Sequence, residues 1–396
     1  MTNGSAGSLA EEFNREFHFR PAIFRAPGRV NLIGEHTDYN DGFVLPSAIG
    51  FYTRVAVSPR SDGKLVLRSV DFPDAFEFDI RNLPGAKLGA WCDYVLGVAV
   101  ELAKQDPTMP GASLLVHGEI PVGAGLSSSA ALEVATTLAF LSLTGREMPL
   151  QSVARLCQKA ENEFVGAHVG IMDPFVSCMG RKGNAVLLDC RSLEFELVPI
   201  PEQVKLVISN TMVKHELSGG EYNQRRAQCE EGVHLLSKRY PGIRALRDVS
   251  VEQLEAQKAS LPAVVYRRCL HVVLENRRVK EAARSFRSGD LPSVGRLMKD
   301  SHASLRDLYE VSCVELDAMV EAAEGLPGYI GGRMTGGGFG GCTVNLVESP
   351  QAPSFAEAIA ARYQSATGIA PDIHICSAAD GANQEQEINS LSPSKQ

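Results

Sequence analysis

The sequence predicts an α+β protein with two lobes, and the alternation of strand-like and helix-like segments is the main evidence. Residues 76–80 alternate apolar and polar side chains, and residues 343–346 form a second strand-like run near the end of the chain. Apolar residues recur at helical spacing over 151–166, and residues 221–323 are charged, poor in glycine and largely helical in pattern. Strands and helices therefore occur in both halves of the chain, which is typical of the α+β class.

The lobe boundary is predicted near residue 200, where strand-like segments give way to the long helical region. We expect an N-terminal lobe over 9–200 and a C-terminal lobe over 201–382. Residues 1–8 and 383–396 are polar, small and weakly patterned, so we expect them to be mobile tails.

Composition restricts the class of protein. The chain has 396 residues, of which 44% are hydrophobic and 22% charged, which is ordinary for a soluble globular protein. Its net charge of −8 gives no support for a nucleic-acid or membrane partner. Nine scattered cysteines, with no C-x-x-C pair, favour reduced thiols in a cytoplasmic protein over a disulfide framework or a zinc site. Secreted, collagenous, disordered and membrane classes are therefore not expected.

The segment 25–40 concentrates charged and polar side chains in a glycine-containing stretch. It carries Arg29, Glu35, His36 and Asp38. Such a stretch cannot bury much apolar area, so packing alone does not account for its composition. Carboxylates and an arginine fork suit a polyhydroxy ligand, because each forms paired hydrogen bonds. A salt-bridged surface loop explains the same residues, so the pattern alone leaves both interpretations open.

The segment 121–135 runs from glycines and small hydroxyl residues directly into an apolar helix, predicted over 127–143. Backbone N–H groups at a helix start bind anions, and glycine allows a phosphate to approach the backbone. No lysine follows the glycines as a Walker loop requires. The serines can cap the helix, bind phosphate oxygens or ligate magnesium. A capped core helix explains one serine but not three, so we favour phosphate binding.

The segment 334–344 is dominated by glycine. Five of the six residues over 336–341 are glycine, which predicts a compact and unusual backbone path because so much chain entropy is lost on ordering it. Close approach to a ligand or to another loop is one explanation. A flexible turn before the strand that begins at Thr343 is the other.

Two acids outside these segments are candidate site residues. Glu161 lies at the edge of the apolar face of the predicted helix 151–166, where a carboxylate either reaches solvent or ligates something. Asp173 precedes Pro174, and a proline at a helix start makes Asp173 the predicted N-cap. Its other possible role is as an acceptor for a substrate proton, and the two roles compete for the same oxygens.

In this order, the segments resemble the galactokinase family of the GHMP small-molecule kinase superfamily. The resemblance is carried by GRVNLIGEHTDYNDGFVLP at 28–46, PVGAGLSSSAALEVA at 121–135, GIMD at 170–173 and MTGGGFGGCTV at 334–344. It covers about residues 20–382 and implies the two-lobed GHMP kinase fold. That fold has a ribosomal-protein-S5-like N-terminal lobe and a ferredoxin-like C-terminal lobe, with ATP between them.

The resemblance also implies a role for each site residue. Asp173 would be the catalytic carboxylate, paired with Arg29. The implied sugar-binding residues are Arg29, Glu35, His36, Asp38, Gly170 and Tyr222. The implied ATP-binding residues are Gly123, Ala124, Gly125, Leu126, Ser127, Ser128, Ser129, Trp91, Tyr94, Gly337 and Gly338. Burial in a helix interface is the alternative explanation for Trp91.

The implied cofactor is Mg²⁺, held by Ser129 and Glu161, with ATP as co-substrate. The implied reaction transfers the γ-phosphoryl group of ATP to the 1-hydroxyl of galactose, the first committed step of galactose breakdown, in a cytoplasmic monomer. Pro174 stands where the family usually has glutamine. Since proline fits a helix start, we expect activity to be retained.

Two other functions stay open at this point. An N-acetylgalactosamine kinase or another sugar 1-kinase of the superfamily would differ only in the space around C2 of the sugar. A non-catalytic sensor of galactose and ATP is the alternative from another class, although the intact serine run and Asp173 argue against it.

Overall fold

The computed structural model describes residues 6–121, 123–214 and 218–385, and its mixed strands and helices confirm the predicted fold class. The described strands are β1 Ala22–Asn31, β2 Phe43–Val44, β3 Pro46–Arg60, β4 Lys64–Ser69, β5 Phe76–Asp79, β6 Gly111–Gly118, β7 Asn184–Asp189, β8 Phe195–Pro199, β9 Val204–Lys214, β10 Tyr329–Thr335, β11 Gly340–Glu348, β12 Asp372–Cys376 and β13 Asn383–Glu385. They form a six-stranded sheet in the order β13-β1-β3-β6-β4-β5, a four-stranded sheet in the order β10-β11-β9-β12, and a three-stranded sheet in the order β2-β7-β8.

The helices are concentrated in the second half, as the sequence pattern indicates. The described helices are α1 Ala6–Phe17, α2 Cys92–Gln105, α3 Ser128–Thr144, α4 Leu150–Ala160, α5 Met172–Met179, α6 Ser218–Arg239, α7 Val251–Ala256, α8 Ala263–Ser288, α9 Leu291–Ser304, α10 Val314–Ala323 and α11 Ala352–Thr367. A π-helical turn over Glu161–Val165 continues α4. Within the described ranges, no helix is both long enough and apolar enough to cross a bilayer.

The six-stranded sheet and α3 position the second glycine-rich segment. Residues 130–135 of α3 are all buried, and α3 packs against β1 and β3. A Cβ atom at Gly28 of β1 would lie 2.7 Å from the carbonyl oxygen of Leu126. Only glycine allows β1 to approach the residues before α3 this closely. The end of β1 and the start of α3 therefore lie side by side.

The four-stranded sheet positions the third glycine-rich segment, which connects β10 to β11. The two strands pair in antiparallel fashion. In the connection, Gly336, Gly338 and Phe339 have φ values of 88°, 86° and 58°. These left-handed values favour glycine, which explains the composition of this segment. The segment is a tight, defined turn and not a flexible linker.

The chain is structured further at both ends than the predicted tails 1–8 and 383–396 allow. Helix α1 begins at Ala6, and residues 383–385 form β13, which pairs with β1. Residues 1–5 and 386–396 lie outside the described residues. The predicted lobe boundary near residue 200 stays a prediction, although β13 returns the end of the chain to the first sheet.

Strand β13 was not predicted from the sequence because polar contacts, which leave no local pattern, hold it. The carboxylate of Glu385 accepts hydrogen bonds from Arg25 Nη1 at 2.8 Å and from Arg54 Nε at 3.0 Å. The strand is only three residues long and has no apolar pattern. Backbone pairing with β1, together with the charge contacts of Glu385 to β1 and β3, attaches it to the sheet.

Candidate active site

Arg29 and Asp173 form the centre of the candidate site. Arg29 lies near the end of β1, and Asp173 is the second residue of α5. Arg29 donates from Nε to Asp173 Oδ1 at 2.8 Å and from Nη2 to Asp173 Oδ2 at 2.7 Å. Its Nη1 donates to the carbonyl oxygen of Gly125 at 2.6 Å. One guanidinium group therefore joins β1, the second glycine-rich segment and α5, and its two parallel bonds fix the orientation of the carboxylate.

Asp173 is not the N-cap of α5, contrary to the prediction. The helix begins at Met172, and no side chain caps it. Pro174 is its third residue, a position where the backbone N–H would have no intrahelical partner in any case. The proline in place of the usual family glutamine is thus compatible with the helix. Because Asp173 is not occupied in capping, its oxygens are available to other donors.

Ser127 is one of these donors, and its backbone is strained. Its Oγ donates to Asp173 Oδ2 at 2.6 Å. Ser127 immediately precedes α3, has a φ of 63° and makes no side-chain cap bond to that helix. A non-glycine residue in the left-handed region costs free energy, and such residues concentrate at functional sites. The capped-core-helix explanation of the serine run therefore fails for this residue.

Glu35 joins the first motif to the third glycine-rich segment. Its Oε1 accepts hydrogen bonds from the backbone N–H of Gly336 at 2.7 Å and from Thr335 Oγ1 at 3.2 Å. Its Oε2 accepts a hydrogen bond from Asn31 Nδ2 at 3.0 Å. The carboxylate is almost completely buried, and Arg333 Nη2 lies 3.5 Å away. These contacts rule out a simple surface loop for this part of the segment 25–40.

His36 is held as a neutral ring at the wall of the site. Burial is the main cause that lowers its pKa to about 3. Its Nδ1 shares a hydrogen bond of 2.8 Å with the hydroxyl of Tyr39, which in turn contacts the hydroxyl of Tyr309 at 2.8 Å. Its buried Nε2 has no hydrogen bond of good geometry among the described residues, although the backbone of Gly337 lies near the ring. A buried polar atom without a partner is costly, so this nitrogen is a candidate ligand contact.

Asp38 packs directly against the backbone of Gly170. A Cβ atom at Gly170 would overlap the Asp38 carboxylate, so only glycine fits there. Burial, followed by repulsion from Asp173, raises the pKa of Asp38 to about 6. The proximity of two carboxylates explains the second effect. The sequence motifs that contain residues 38, 170 and 173 therefore meet at one point.

One cavity of about 490 Å³ is bordered by the residues described above. Its lining includes every predicted sugar-binding residue together with Asp173: Arg29, Glu35, His36, Asp38, Gly170, Tyr222 and Asp173. Gly336 and Gly337 close one side, and a Cβ atom at Gly337 would contact the ring of Tyr222 at 3.5 Å. Gly338 does not line this cavity; a Cβ atom there would overlap the backbone of Val311.

The second and third glycine-rich segments touch through their backbones. A Cβ atom at Gly336 would lie 3.1 Å from the carbonyl oxygen of Gly125, and one at Gly341 would lie 3.0 Å from that of Ala124. Gly123 and Gly125 have left-handed φ values of 75° and 78°. The close approach of two backbones gives a physical reason for both glycine-rich compositions.

Ser129 and Glu161, the predicted metal ligands, lie close enough for the Ser129 hydroxyl to influence the pKa of the Glu161 carboxyl group. Ser129 lies in the first turn of α3, and Glu161 begins the π-helical turn after α4. Burial, followed by repulsion from Asp173, raises the pKa of Glu161 to about 7, and the nearby hydroxyl of Ser129 opposes this shift. Glu161 is thus a buried carboxylate and does not extend to solvent.

Trp91 and Tyr94 lie at the start of α2. The ring of Trp91 stacks on Phe72 with 6.4 Å between centroids and meets the edge of Phe76 at 5.9 Å. Burial, followed by repulsion from Glu161, raises the pKa of Tyr94 to about 12. Tyr94 is therefore near the Ser129–Glu161 pair, whereas Trp91 packs among aromatic side chains.

Two residues of this region, Lys87 and Glu133, were not predicted as site residues from the sequence. Lys87 lines the cavity, and its Nζ donates to the carbonyl oxygen of Val165 at 2.8 Å. Glu133 lies one helical turn after Ser129, is fully buried, and neither of its carboxyl oxygens has a partner among the described residues. Glu133 could have been recognised from the sequence, because it is an acid inside the most apolar run of the chain. No sequence feature of this kind marks Lys87.

Three family models match the chain. The model described as the galactokinase galactose-binding signature matches residues 11–59. The models of the GHMP kinase N-terminal domain and the GHMP kinase C-terminal region match residues 93–181 and 282–365. The matches occur in the order expected from the three sequence segments.

Similar proteins cover nearly the whole chain. A galactokinase from Roseiflexus sp. (strain RS-1) is 45% identical over 96% of this chain and 97% of the relative, and one from Homo sapiens is 46% identical over 93% and 94%. The crystal structure of Lactococcus lactis galactokinase complexed with galactose matches with a TM-score of 0.92 and 35% identity, over 96% of this chain and 99% of that chain. Methanococcus jannaschii mevalonate kinase, at 16% identity and a TM-score of 0.65, shares the fold. The predicted GHMP kinase fold is confirmed.

The buried state of Glu161 predicts a change in the pH dependence of stability. An acid whose pKa rises from 4.5 to about 7 on folding keeps its proton up to a higher pH in the folded state than in the unfolded state. Stability is therefore lost as the pH rises from 4.5 to 7. Glu161→Gln removes this loss, so its free energy of unfolding at pH 8 should exceed that of the wild type by roughly 3 kcal/mol.

Urea denaturation of metal-free protein from pH 4 to pH 8 measures this effect. The difference between the two proteins should disappear near pH 4. Glu163→Gln, a change two residues away at an exposed position, should leave the wild-type pH profile unchanged. Parallel profiles for Glu161→Gln and the wild type would show that Glu161 is not a protonated buried acid.

Proposed function

Because the chain belongs to the galactokinase family, we propose that it is an ATP-dependent sugar kinase that phosphorylates the anomeric 1-hydroxyl of α-D-galactose. The products are galactose 1-phosphate and ADP. The observation that carries the proposal is the position of Asp173: a carboxylate oriented by Arg29, at the wall of a cavity of about 490 Å³ that Asp38 and His36 also line. A sugar hydroxyl needs such an acceptor when it attacks a phosphorus atom.

The sugar binds in this cavity through groups of complementary chemistry. Glu35 and Asp38 accept hydrogen bonds from sugar hydroxyls, and the free Nε2 of His36 supplies a further polar contact. The ring of Tyr222 lies 5.5 Å from that of His36 and offers an apolar surface to the sugar. Gly170 leaves the room that Asp38 needs. Together these residues fix which hydroxyl faces Asp173.

Asp173 and Arg29 act at the reacting oxygen. Asp173 accepts the proton of the 1-hydroxyl, while that oxygen forms a bond to the γ-phosphorus and the bond from the γ-phosphorus to the β–γ bridging oxygen breaks. Arg29 and Ser127 hold the carboxylate in place, and Arg29 also places positive charge beside the transferring group. Phosphoryl transfer requires little covalent chemistry from the protein, so positioning and charge stabilisation dominate the rate.

The ATP phosphates bind at the segment 123–129, in front of the N-terminus of α3. Backbone N–H groups of this helix start are directed at a bound anion, and the helix dipole favours negative charge there. Gly337 and Lys87 line the proposed sugar cavity, and Lys87 contributes a positive charge at its border. Trp91 and Tyr94 border the adenine side of the ATP site. Gly338 packs against the backbone of Val311 and so helps to fix the turn of the third glycine-rich segment.

The residues at Ser129 and Glu161 fit a magnesium ion. Hydroxyl and carboxylate oxygens are the ligands that Mg²⁺ prefers, and Mg²⁺ usually binds one or two carboxylates together with substrate phosphates and water. No group of three His, Cys, Asp or Glu side chains able to hold a metal occurs among the described residues. Phosphate oxygens and water would therefore supply the remaining ligands. The ion would neutralise phosphate charge and relieve the repulsion between Glu161 and Asp173.

We also expect the protein to be a cytoplasmic monomer.

A coupled assay of ADP formation tests the proposed function. Galactose, N-acetylgalactosamine, glucose and arabinose are compared with ATP and Mg²⁺. We expect the highest kcat/KM for galactose. A preference for N-acetylgalactosamine would identify another sugar 1-kinase, and binding of galactose without turnover of any sugar would identify a sensor.

Asp173→Asn should lower kcat by about a thousandfold or more, because the amide cannot accept the proton. Its affinity for ATP, measured by calorimetry, should stay within about twofold of the wild type, since the phosphates contact other residues. Asp300→Asn, an exposed acid on α9, is the matched control and should have wild-type kinetics. A near-normal kcat in Asp173→Asn would refute the catalytic role.

Gly170→Ala should weaken galactose binding at least tenfold. The added methyl group overlaps the carboxylate of Asp38, so Asp38 must move away from the sugar. The KM for ATP should change little. Gly50→Ala, at a strand position with open space around it, serves as the control. Equal galactose KM values in both variants would mean that Asp38 does not contact the sugar.

A further inference from the structure

A second cavity of about 480 Å³ lies beside the proposed sugar cavity. The two cavities share Asp38, Val169 and Gly170 in their linings. At Gly170 the backbone is in direct contact with the Asp38 carboxylate, so close that a Cβ atom would overlap it. The two residues therefore form a wall, with the proposed sugar on one side and the second cavity on the other. The residues proposed for ATP and Mg²⁺ do not line this second cavity.

Three arginines, Arg155, Arg191 and Arg226, line the second cavity. Arg155 is an exposed residue of α4 and forms no ion pair among the described residues. The other acid in the lining besides Asp38 is Asp41, and Arg191 already pairs with it at 3.0 Å.

The free positive charge is therefore contributed mainly by Arg155 and Arg226. Arg226 pairs with Glu230, whose side chain is 65% exposed, and solvent screening makes such a pair weak. An arginine that is unpaired or weakly paired binds phosphate oxygens well, because its planar donors match their geometry.

The second cavity is connected to the sugar cavity through the segment 166–170. Arg226 Nη1 donates to the carbonyl oxygen of His168 at 3.0 Å. Asn162 Oδ1 accepts from the N–H of Val169 at 2.8 Å, and Gln158 Nε2 donates to the carbonyl oxygen of Val169 at 3.3 Å. The side chains of residues 158, 162 and 226 thus line the second cavity and also hold the segment that walls the first.

We propose that the second cavity binds a small phosphate monoester through Arg155 and Arg226, and that its occupant changes the affinity of the first cavity for sugar. The ligand engages Arg226, which holds the segment 166–170, and lies beside Asp38, which lines both cavities. It therefore acts on two residues that shape the sugar cavity. The coupling is reciprocal: whatever the ligand does to sugar affinity, the sugar does to ligand affinity. The inference depends on the proposed function only for the choice of galactose as the sugar.

Calorimetry on the full chain, saturated with galactose and a non-hydrolysable ATP analogue, tests the site. Glycerol 3-phosphate and inorganic phosphate are the probes, because neither carries a sugar ring that competes for the first cavity. We expect one further binding event. Arg155→Gln should weaken it at least tenfold, Arg155→Lys should weaken it less, and Arg181→Gln, an exposed arginine outside the cavity, should leave it unchanged.

The two probes identify the group that is recognised. Binding of inorganic phosphate with the same dependence on Arg155 would support recognition of the phosphoryl group itself, and binding of glycerol 3-phosphate alone would support recognition of the whole monoester. No second binding event, or one that is equal in Arg155→Gln and the wild type, would overturn the site.

A galactose titration with and without saturating glycerol 3-phosphate tests the coupling. We expect the dissociation constant of galactose to change at least threefold. An unchanged value despite bound glycerol 3-phosphate would overturn the coupling. Failure of the proposed function would be visible separately, as absence of galactose binding or turnover in the wild type before any probe is added.

Discussion

The contacts of the Arg29 guanidinium group are the interaction on which the site depends. It bonds to both oxygens of Asp173 and to the carbonyl oxygen of Gly125, so one side chain connects segments separated by 96 and 144 residues. Each segment is positioned by a different part of the fold: β1, the loop before α3, and α5. The bidentate geometry determines where the Asp173 carboxylate points, and Ser127 supports it from the side of α3. The cavity, the candidate base and the proposed phosphate-binding segment meet because these three contacts form together.

The site is assembled at a cost in stability. Burial raises the pKa of Asp38 to about 6 and that of Glu161 to about 7, while His36 stays neutral and Glu133 has two buried oxygens without partners among the described residues. Ser127 adds backbone strain. Such features are unfavourable for folding, and they are expected where a protein is shaped for a charged or polar ligand. A sugar, a polyphosphate and a divalent cation would satisfy these groups and so stabilise the folded chain.

The fold class and the three segments of the site could be predicted from sequence, because glycine-rich turns and clustered charges leave a local signal. The pairing of Arg29 with Asp173 has no local signal and followed only from the family resemblance. The predicted N-cap role of Asp173 was wrong because α5 begins at Met172, and a shift of two residues at a helix start is beyond what local pattern resolves. Lys87 and the strand β13 were missed because tertiary contacts alone define them.

A crystal structure of the chain with galactose, Mg²⁺ and a non-hydrolysable ATP analogue would show whether Asp173 meets the reacting oxygen of the sugar. We expect the anomeric hydroxyl oxygen to lie about 2.6–3.2 Å from an oxygen of Asp173 and to face the γ-phosphorus in line with its leaving oxygen. The phosphates should contact the start of α3 and the guanidinium group of Arg29. A sugar bound with its anomeric hydroxyl directed away from Asp173, or phosphates bound away from the start of α3, would refute the proposed roles of Asp173 and of this helix start.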